Sequence, residues 1–410
     1  MLRNLRPTIS LLVATAILLL GVGLLTTLIP LRGRALGYST TMLGAMTSAY
    51  YAGYFVGTFA LPPLIQRIGH IRAFAFCAAV LACLVLLQSL GSNPWFWLAL
   101  RLLAGIVLVG LYAIIESWLN AHAAATHRGT VFAIYMMVTL GSLAVAQQLL
   151  RIQGEPFVLF VVVALLVCAA TLPVVATRQA QPALQPVPRL HLRRLFALAP
   201  TAGAGAWLTG LAMGAFWGLL PVYARGLGLE LAQVGTCMSM AIVGGAALQW
   251  PLGRWSDRHD RRIALALVGA GASVLALLQL LLGGSHGAML VLIFLYGGFA
   301  FAVYPIVVAH LVDHLSAEEL LPASSSVLLI YGVGSAIGPV AAGALMSASG
   351  PGALFVWFAL TQSLLAAYAA YRYWHFHREQ SADAHFRMML RTTPAAFEML
   401  PEKVSTTESD

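Results

Sequence analysis

Apolar residues fall in twelve runs of about twenty, separated by short polar breaks. A helix needs about 20 mostly apolar residues to cross a hydrocarbon layer roughly 30 Å thick. Each run therefore predicts a span. The first six are Ile9–Leu31, Thr41–Leu64, Ala73–Leu90, Trp95–Leu119, Thr130–Leu150 and Phe157–Ala176. The second six are Thr201–Tyr223, Leu231–Leu252, Ile263–Leu282, Ala288–Val312, Ala323–Ser347 and Ala353–Trp374. The long break Thr177–Ala199 holds Pro182, Pro186 and Pro188, then Arg189, Arg193 and Arg194, and it divides six runs from six. The expected organisation is an all-α integral membrane protein: an N-terminal six-helix bundle over 1–176, a cytoplasmic linker over 177–199, a C-terminal six-helix bundle over 200–375 and a cytoplasmic tail over 376–410. Within the tail, Phe386–Leu400 carries a weak signal for a short interfacial helix.

Composition agrees. The chain is 60% hydrophobic and 9% charged, where a soluble domain carries about 25% charged residues. The net charge of +9 does not point to nucleic acid, because the arginines sit in short loops between apolar runs. With both termini placed inside, the inner loops and tails hold 18 of the 23 Lys and Arg, from Arg3 and Arg6 to Lys403. The outer loops hold only Arg32, Arg34, Arg151 and Arg225. That bias predicts cytoplasmic termini. Cys77, Cys83, Cys168 and Cys237 lie inside apolar runs, without metal spacing or a disulfide framework, and no cofactor is expected. The first run lacks a convincing small-residue cleavage site and reads as a retained helix.

One break stands out for its charge. In Gly253-Arg254-Trp255-Ser256-Asp257-Arg258-His259-Asp260-Arg261-Arg262, six of ten residues are Arg or Asp. It has a counterpart in the first half. At a constant offset of 191, Pro30 meets Pro221, Arg34 meets Arg225, Leu36 meets Leu227, Gly37 meets Gly228, Gly44 meets Gly235, Ser48 meets Ser239, Gly53 meets Gly244 and Arg67 meets Arg258. Shared glycines and prolines across a helix–loop–helix unit indicate two parallel repeats of six helices. That arrangement suits a secondary transporter with a mid-membrane site.

The charged loop resembles the loop 8–9 signature of the major facilitator superfamily, at that family's position. Pro62-Pro63-Leu64-Ile65-Gln66-Arg67-Ile68-Gly69-His70-Ile71-Arg72 resembles the loop 2–3 signature, departing at Gln66, where the family has an acid. Arg101 with Gly105 and Gly110 is similar to the family's fourth-helix pattern. Glu116-Ser117-Trp118-Leu119-Asn120, the run from Arg128 to Met136 and Tyr304-Pro305 resemble the YcaD-like subgroup. The resemblance covers Ile9 to Trp374. It implies twelve transmembrane helices in two pseudo-symmetric bundles, a bacterial inner-membrane location, and a charged latch that holds neighbouring helices together in one access state. Arg67, Gly253, Asp257, Arg258, Arg261, Arg262 and Asp313 are the latch candidates. Gln66 cannot form the ion pair open to Asp257.

Substrate and coupling candidates are Arg101, Tyr112, Glu116, Gln148, Trp217, Tyr304 and His310. Arg101 is the basic residue inside a span, where a charge costs roughly 2.5–3.5 kcal/mol. It contacts substrate, gates, or snorkels to the interface. Arg101, Gly105, Leu108, Tyr112 and Glu116 share one helical stripe, with Arg101 and Glu116 about 22 Å apart. Glu116 is the most embedded carboxylate: a proton carrier, or a structural acid bonded to Arg128 or a backbone amide. His310 and His314 flank Asp313 in a pattern that superficially resembles a zinc motif, but no third ligand is evident and no metal is expected. His310 is instead a candidate pH-responsive group. Gln147 and Gln148 are able to bond a solute or a neighbouring helix. Tyr112, Trp217 and Tyr304 are the aromatic pocket candidates among Tyr50, Tyr54, Trp207, Phe216, Tyr296 and Tyr331. Gly334-x-x-x-Gly338-Pro339 predicts close helix contact in the eleventh span. The fifth span lacks such a Gly-Pro pair, which weakens a drug/proton antiporter reading.

The leading expectation is a monomeric secondary transporter exporting an amphipathic or weakly anionic organic solute in exchange for protons. The alternatives are uptake or facilitated diffusion of an organic anion held by Arg101, and a transporter-like receptor. A membrane enzyme finds no nucleophile elbow, phosphate loop or metal site in support. The expected partners are a small solute, the lipid bilayer and protons.

Overall fold

The computed structural model describes residues 2–122, 128–155, 157–176, 195–196, 199–313, 317–375 and 389. Most of the expected linker, the tail with its Phe386–Leu400 segment, and His314 lie outside these residues. Twelve long helices follow one another: α1 (Leu2–Ala35), α2 (Thr40–Ile68), α3 (His70–Leu90), α4 (Pro94–His122), α5 (Arg128–Ala146), α6 (Val158–Ala169), α7 (Pro200–Gly226), α8 (Leu231–Ser256), α9 (Arg261–Leu282), α10 (His286–Asp313), α11 (Ala317–Ser349) and α12 (Ala353–His375). A 3-10 turn, Gln147–Arg151, continues α5, and a short helical piece, Thr171–Val175, follows α6. No strand occurs among the described residues.

Among the described residues, eleven helices are long and apolar enough to cross a membrane. The twelve long helices differ in this only at α2. Its Thr40, Thr41, Thr47, Ser48 and Thr58, with Tyr50, Tyr51 and Tyr54, dilute its apolar character. Those groups are accommodated by protein, since α2 packs along α4 on one side and α11 on the other.

The duplication read from the sequence is visible in the packing. In the first bundle α1 packs on α5, α2 on α4, α3 on α4, α3 on α6 and α1 on α6. Adding six to each number gives the main contacts of the second bundle: α7 on α11, α8 on α10, α9 on α10, α9 on α12 and α7 on α12. The connections match as well. Gly37 and Gly228 take the left-handed backbone, with φ of 85° and 84°, a conformation that excludes most side chains. Ser39 and Glu230 then cap α2 and α8 from equivalent positions. In the α2/α4 crossing, a Cβ on Gly53 would overlap the Leu102 carbonyl and one on Gly105 the Tyr50 carbonyl. In the α8/α10 crossing, Gly244 meets the Phe294 carbonyl and Gly297 the Ala241 carbonyl in the same way. Helix axes approach this closely only where no side chain intervenes.

The bundles meet at the end remote from the start of α1 and the finish of α12, called here the far end. There α2 lies against α11, and α5 with its 3-10 turn lies against α8. Thr40 Oγ1 donates to the Gly343 carbonyl at 2.9 Å, and Gly44 abuts the Pro339 carbonyl. The small-residue pattern in α11 gives close contact as expected, with Gly334 and Gly338 seated on backbone of α7. At the terminus end, α4 and α5 make no substantial contact with α10 or α11 among the described residues.

These crossings carry a prediction. Gly53→Leu and Gly244→Leu each destabilise the detergent-solubilised protein by about 1–3 kcal/mol or more through forced separation of paired backbones. Gly141→Leu, on α5 with open space at its Cβ, leaves the thermal midpoint near wild type. Equal midpoints for all three variants would mean the crossings are not tightly packed.

Candidate functional site

Six helices converge on a central cavity of about 120 Å³. Four of them supply residues three or four apart, hence one face: Leu19, Val22 and Thr26 from α1; Tyr112 and Glu116 from α4; Tyr135, Thr139 and Leu143 from α5; Met213 and Trp217 from α7; α2 adds Tyr50, Tyr51 and Tyr54, and α11 adds Tyr331. Both bundles therefore contribute. Glu116 is the one formally charged side chain among these lining residues. It is 1% exposed, and the Tyr135 hydroxyl donates to its Oε1 at 2.9 Å. The bond satisfies one acceptor of a carboxyl group that is out of contact with water.

The tyrosines form a continuous ladder. Ring centroids are 6.4 Å apart for Tyr50 and Tyr54 and 6.3 Å for Tyr54 and Tyr112. Tyr51 meets Tyr50 edge-on at 5.2 Å. At the far end of the ladder, the Arg101 guanidinium lies 4.6 Å from the Tyr50 ring centroid. Arg101 is buried, yet it does not line the cavity. It faces protein rather than snorkelling to an interface.

The other substrate candidates separate. Tyr112 and Trp217 line the cavity. Tyr304 stands behind it, its ring 4.8 Å from that of Tyr331. Gln148 is in the far-end seam: its Nε2 donates to Ser239 Oγ at 2.6 Å, and its Oε1 accepts from Arg151 Nε at 2.9 Å. Arg151 also reaches Thr236 Oγ1 at 3.0 Å, and Ser239 donates to the Ala144 carbonyl at 2.7 Å. Gln147 braces α5 to α1, accepting from Thr27 at 2.6 Å and donating to the Gly23 carbonyl at 3.1 Å. Both glutamines thus bond helices. His310 is buried at the terminus end of α10, near enough to Asp260 to influence its charge.

The loop between α8 and α9 is a charge network. Arg261 NH2 pairs with Asp257 at 2.7 Å and its Nε with Asp313 at 3.2 Å, while NH1 donates to Ser256 Oγ at 2.9 Å. One guanidinium so ties α8, α9 and α10. Arg262, 1% exposed, pairs with Asp260 at 2.8 Å, donates to the Arg372 carbonyl of α12 at 3.4 Å and lies over the Tyr373 ring. Asp260 caps α9, accepting from the Arg262 backbone at 2.9 Å. Burial works against ionisation of Asp260, but the hydrogen bonds and charge of Arg262, with His310, outweigh it and hold the carboxyl below its ordinary range. Gly253 is buried in the last turn of α8. Arg258 and Arg67, matched by the repeat, are both exposed and are not brought into the network. At Arg261's position the first bundle has His70, bonded to Ser117 Oγ at 3.1 Å and edge-on to Trp118.

Among the described residues no group of three or more His, Cys, Asp or Glu is placed to hold a metal ion. Sequence reasoning missed Tyr135, Tyr51, Thr139 and Met213 as cavity residues. Tyr135 lies 19 positions from Glu116 on a different helix, and no spacing rule links the two.

The family model described as Major Facilitator Superfamily matches residues 11–199 and 202–395. The MFS-type transporter YcaD of Salmonella newport (strain SL254) is 30% identical over 360 residues, covering 86% of this chain and 92% of that protein. Among solved structures, the nucleoside transporter NupG (D323A mutant) superposes with a TM-score of 0.73 at 14% identity, covering 89% of this chain and 99% of the other. A bacterial homologue of the human lysosomal transporter Spinster, in an inward-facing and unoccupied conformation, gives 0.69 at 15%, covering 97% and 96%.

Two predictions follow from the loop geometry. Asp257→Asn, which removes the ion pair to Arg261, lowers stability by about 1.5–3 kcal/mol, whereas Gln66→Ala at the exposed counterpart leaves the thermal midpoint unchanged; equal midpoints would remove the network role. Because the Asp260 carboxyl is held below its unfolded value of 3.8, its stabilisation is present above that pH and is lost as pH falls through the folded value. The midpoint difference between wild type and Asp260→Asn is therefore full at pH 7 and shrinks below about pH 4.

Proposed function

This chain belongs to the Major Facilitator Superfamily, and we propose that it exports a small organic solute across a bacterial inner membrane by alternating access, in exchange for protons. The family carries small solutes across membranes, so the chain is a multi-pass membrane transporter and not an enzyme. Direction, coupling and site are the proposal. The observation that carries it is Glu116: a carboxylate in the wall of a cavity shared by both bundles, held by Tyr135.

Protonation of Glu116 removes a charge whose burial is costly, and the Tyr135 hydroxyl is able to donate to the ionised carboxylate or to release it as the helices move. The cavity is closed toward the far end by the α2/α11 and α5/α8 seams. The excess of arginine in the terminus-side loops supports a cytoplasmic placement of that side, so the cavity would face the cytoplasm. Solute and proton would exchange there, and the far-end seams would part in the alternate state. Among the described contacts, the Arg261 and Arg262 networks bind helices of the second bundle to one another. Their role is to keep that bundle rigid as it tilts. Arg101, spent on Tyr50 outside the cavity lining, lends no support to an organic-anion site.

Two measurements test this reading. In proteoliposomes, Glu116→Gln abolishes solute movement driven by an imposed pH gradient while counterflow persists at saturating solute; full gradient-driven transport in that variant would rule Glu116 out as the proton carrier. In a background with the four native cysteines replaced, oxidising Gln148→Cys against Ser239→Cys across the seam arrests transport, and reduction restores it. Undiminished transport by the crosslinked protein would mean that the seam does not open.

A further inference from the structure

We infer that the cavity selects organic cations, solutes that join an ammonium-type positive charge to an apolar or aromatic body. This rests on the transport reading above and names the class of its substrate.

Three features of the site point the same way. Glu116 supplies the one formal charge among the lining residues, and it is negative. Among the described lining residues there is no lysine, arginine or histidine. Around Glu116 stand six tyrosines and Trp217. The face of an aromatic ring carries a negative quadrupole that attracts a cation within about 6 Å, and the attraction grows where water is excluded. The apolar stretch formed by Leu19, Val22, Leu143 and Met213 offers a surface for the uncharged body.

The protein itself shows that the tyrosine ladder accepts a cation. The Arg101 guanidinium lies over Tyr50 at 4.6 Å, at the end of the ladder away from Glu116. A solute cation among Tyr54, Tyr112 and Tyr135 would find the same ring chemistry with a carboxylate in addition. An anion has the tyrosine hydroxyls to recruit, but it would compete for them with Glu116, which already takes that of Tyr135. It would also face a like charge in a poorly solvated space. A neutral solute gains at most a donated hydrogen bond from the carboxylate, without the attraction between opposite charges. The second bundle adds Met213, Trp217 and Tyr331 to the lining, none of them charged at neutral pH, so its approach during closure leaves the sign of the site unchanged.

Three aromatic probes of similar size test the assignment: phenyltrimethylammonium, neutral acetanilide and benzenesulfonate. Binding to the purified full-length protein is measured by equilibrium dialysis and exchange by proteoliposome counterflow. The cation is expected to bind at least about tenfold more tightly than either other probe, and Glu116→Gln to remove that advantage. Removal of a ring in Tyr112→Leu is expected to weaken cation binding about threefold or more. Each variant is used only if it elutes as a single species with a wild-type thermal midpoint; should Glu116→Gln fail this, the wild-type charge series and Tyr112→Leu decide. Equal or tighter binding of acetanilide or benzenesulfonate, or no binding of any probe, overturns the cation assignment. Counterflow of a neutral or anionic probe without the cation would do so while leaving the transport reading intact. Preferential cation binding with no counterflow would keep the cation site and remove the transport reading.

Discussion

An ionised group taken out of water loses several kcal/mol of hydration, which only well-placed partners restore. In a chain with 9% charged residues, that constraint decides where each buried charge sits. Arg101 is covered by the Tyr50 ring, Glu116 receives the Tyr135 hydroxyl, Arg261 is bracketed by Asp257 and Asp313, and Arg262 is chelated by Asp260. Except for Asp260, which sits beside Arg262 at the start of α9, the partners come from a different turn or a different helix, so satisfying the charge also fixes how elements approach. The partner types differ with location. Carboxylates meet guanidinium groups at the aqueous edge, whereas aromatic rings and hydroxyls serve at mid-span.

The frame that holds these charges is built twice. The five helix pairings of one bundle recur in the other, with the same left-handed glycine in the α1–α2 and α7–α8 turns and the same glycine-on-carbonyl crossings. What fills the frame has diverged. The second bundle keeps the acid at Asp257 and sets Arg261 where the first has His70, while among the described lining residues the carboxylate comes from the first bundle, its repeat-equivalent position in α10 being apolar Val307. Backbone geometry is thus the shared inheritance, and side-chain chemistry is divided between the bundles.

Much of this was legible in the sequence. The apolar runs and the offset of 191 set out the helices and the duplication, because lipid demands long uninterrupted apolar stretches and because glycines at turns and crossings resist replacement by any side chain. The Arg101–Glu116 stripe was legible as a face of α4. What covers that face was not. Tyr50 and Tyr135 reach it from other helices, and periodicity within one helix carries no information about its neighbour. For the same reason Gln148 and Tyr304, plausible as solute contacts by composition, turn out to bond the seam and to support Tyr331. Arg67 and Arg258 matched in register yet stay exposed, since a repeat preserves position without preserving a partner.

The two far-end seams are made of different material. Along α5 and α8 the contact is mainly a string of side-chain hydrogen bonds through Gln148, Arg151, Ser239 and Thr236, with Gly235 set on the Gln147 carbonyl; along α2 and α11 it is mainly backbone against backbone at Gly44 and Gly343, with one side-chain bond from Thr40. Water replaces a hydrogen bond at a net loss of only about 1 kcal/mol, but it does not replace close dispersion contact. A force that parts the bundles therefore meets more contact that water is able to replace along α5 and α8 than along α2 and α11.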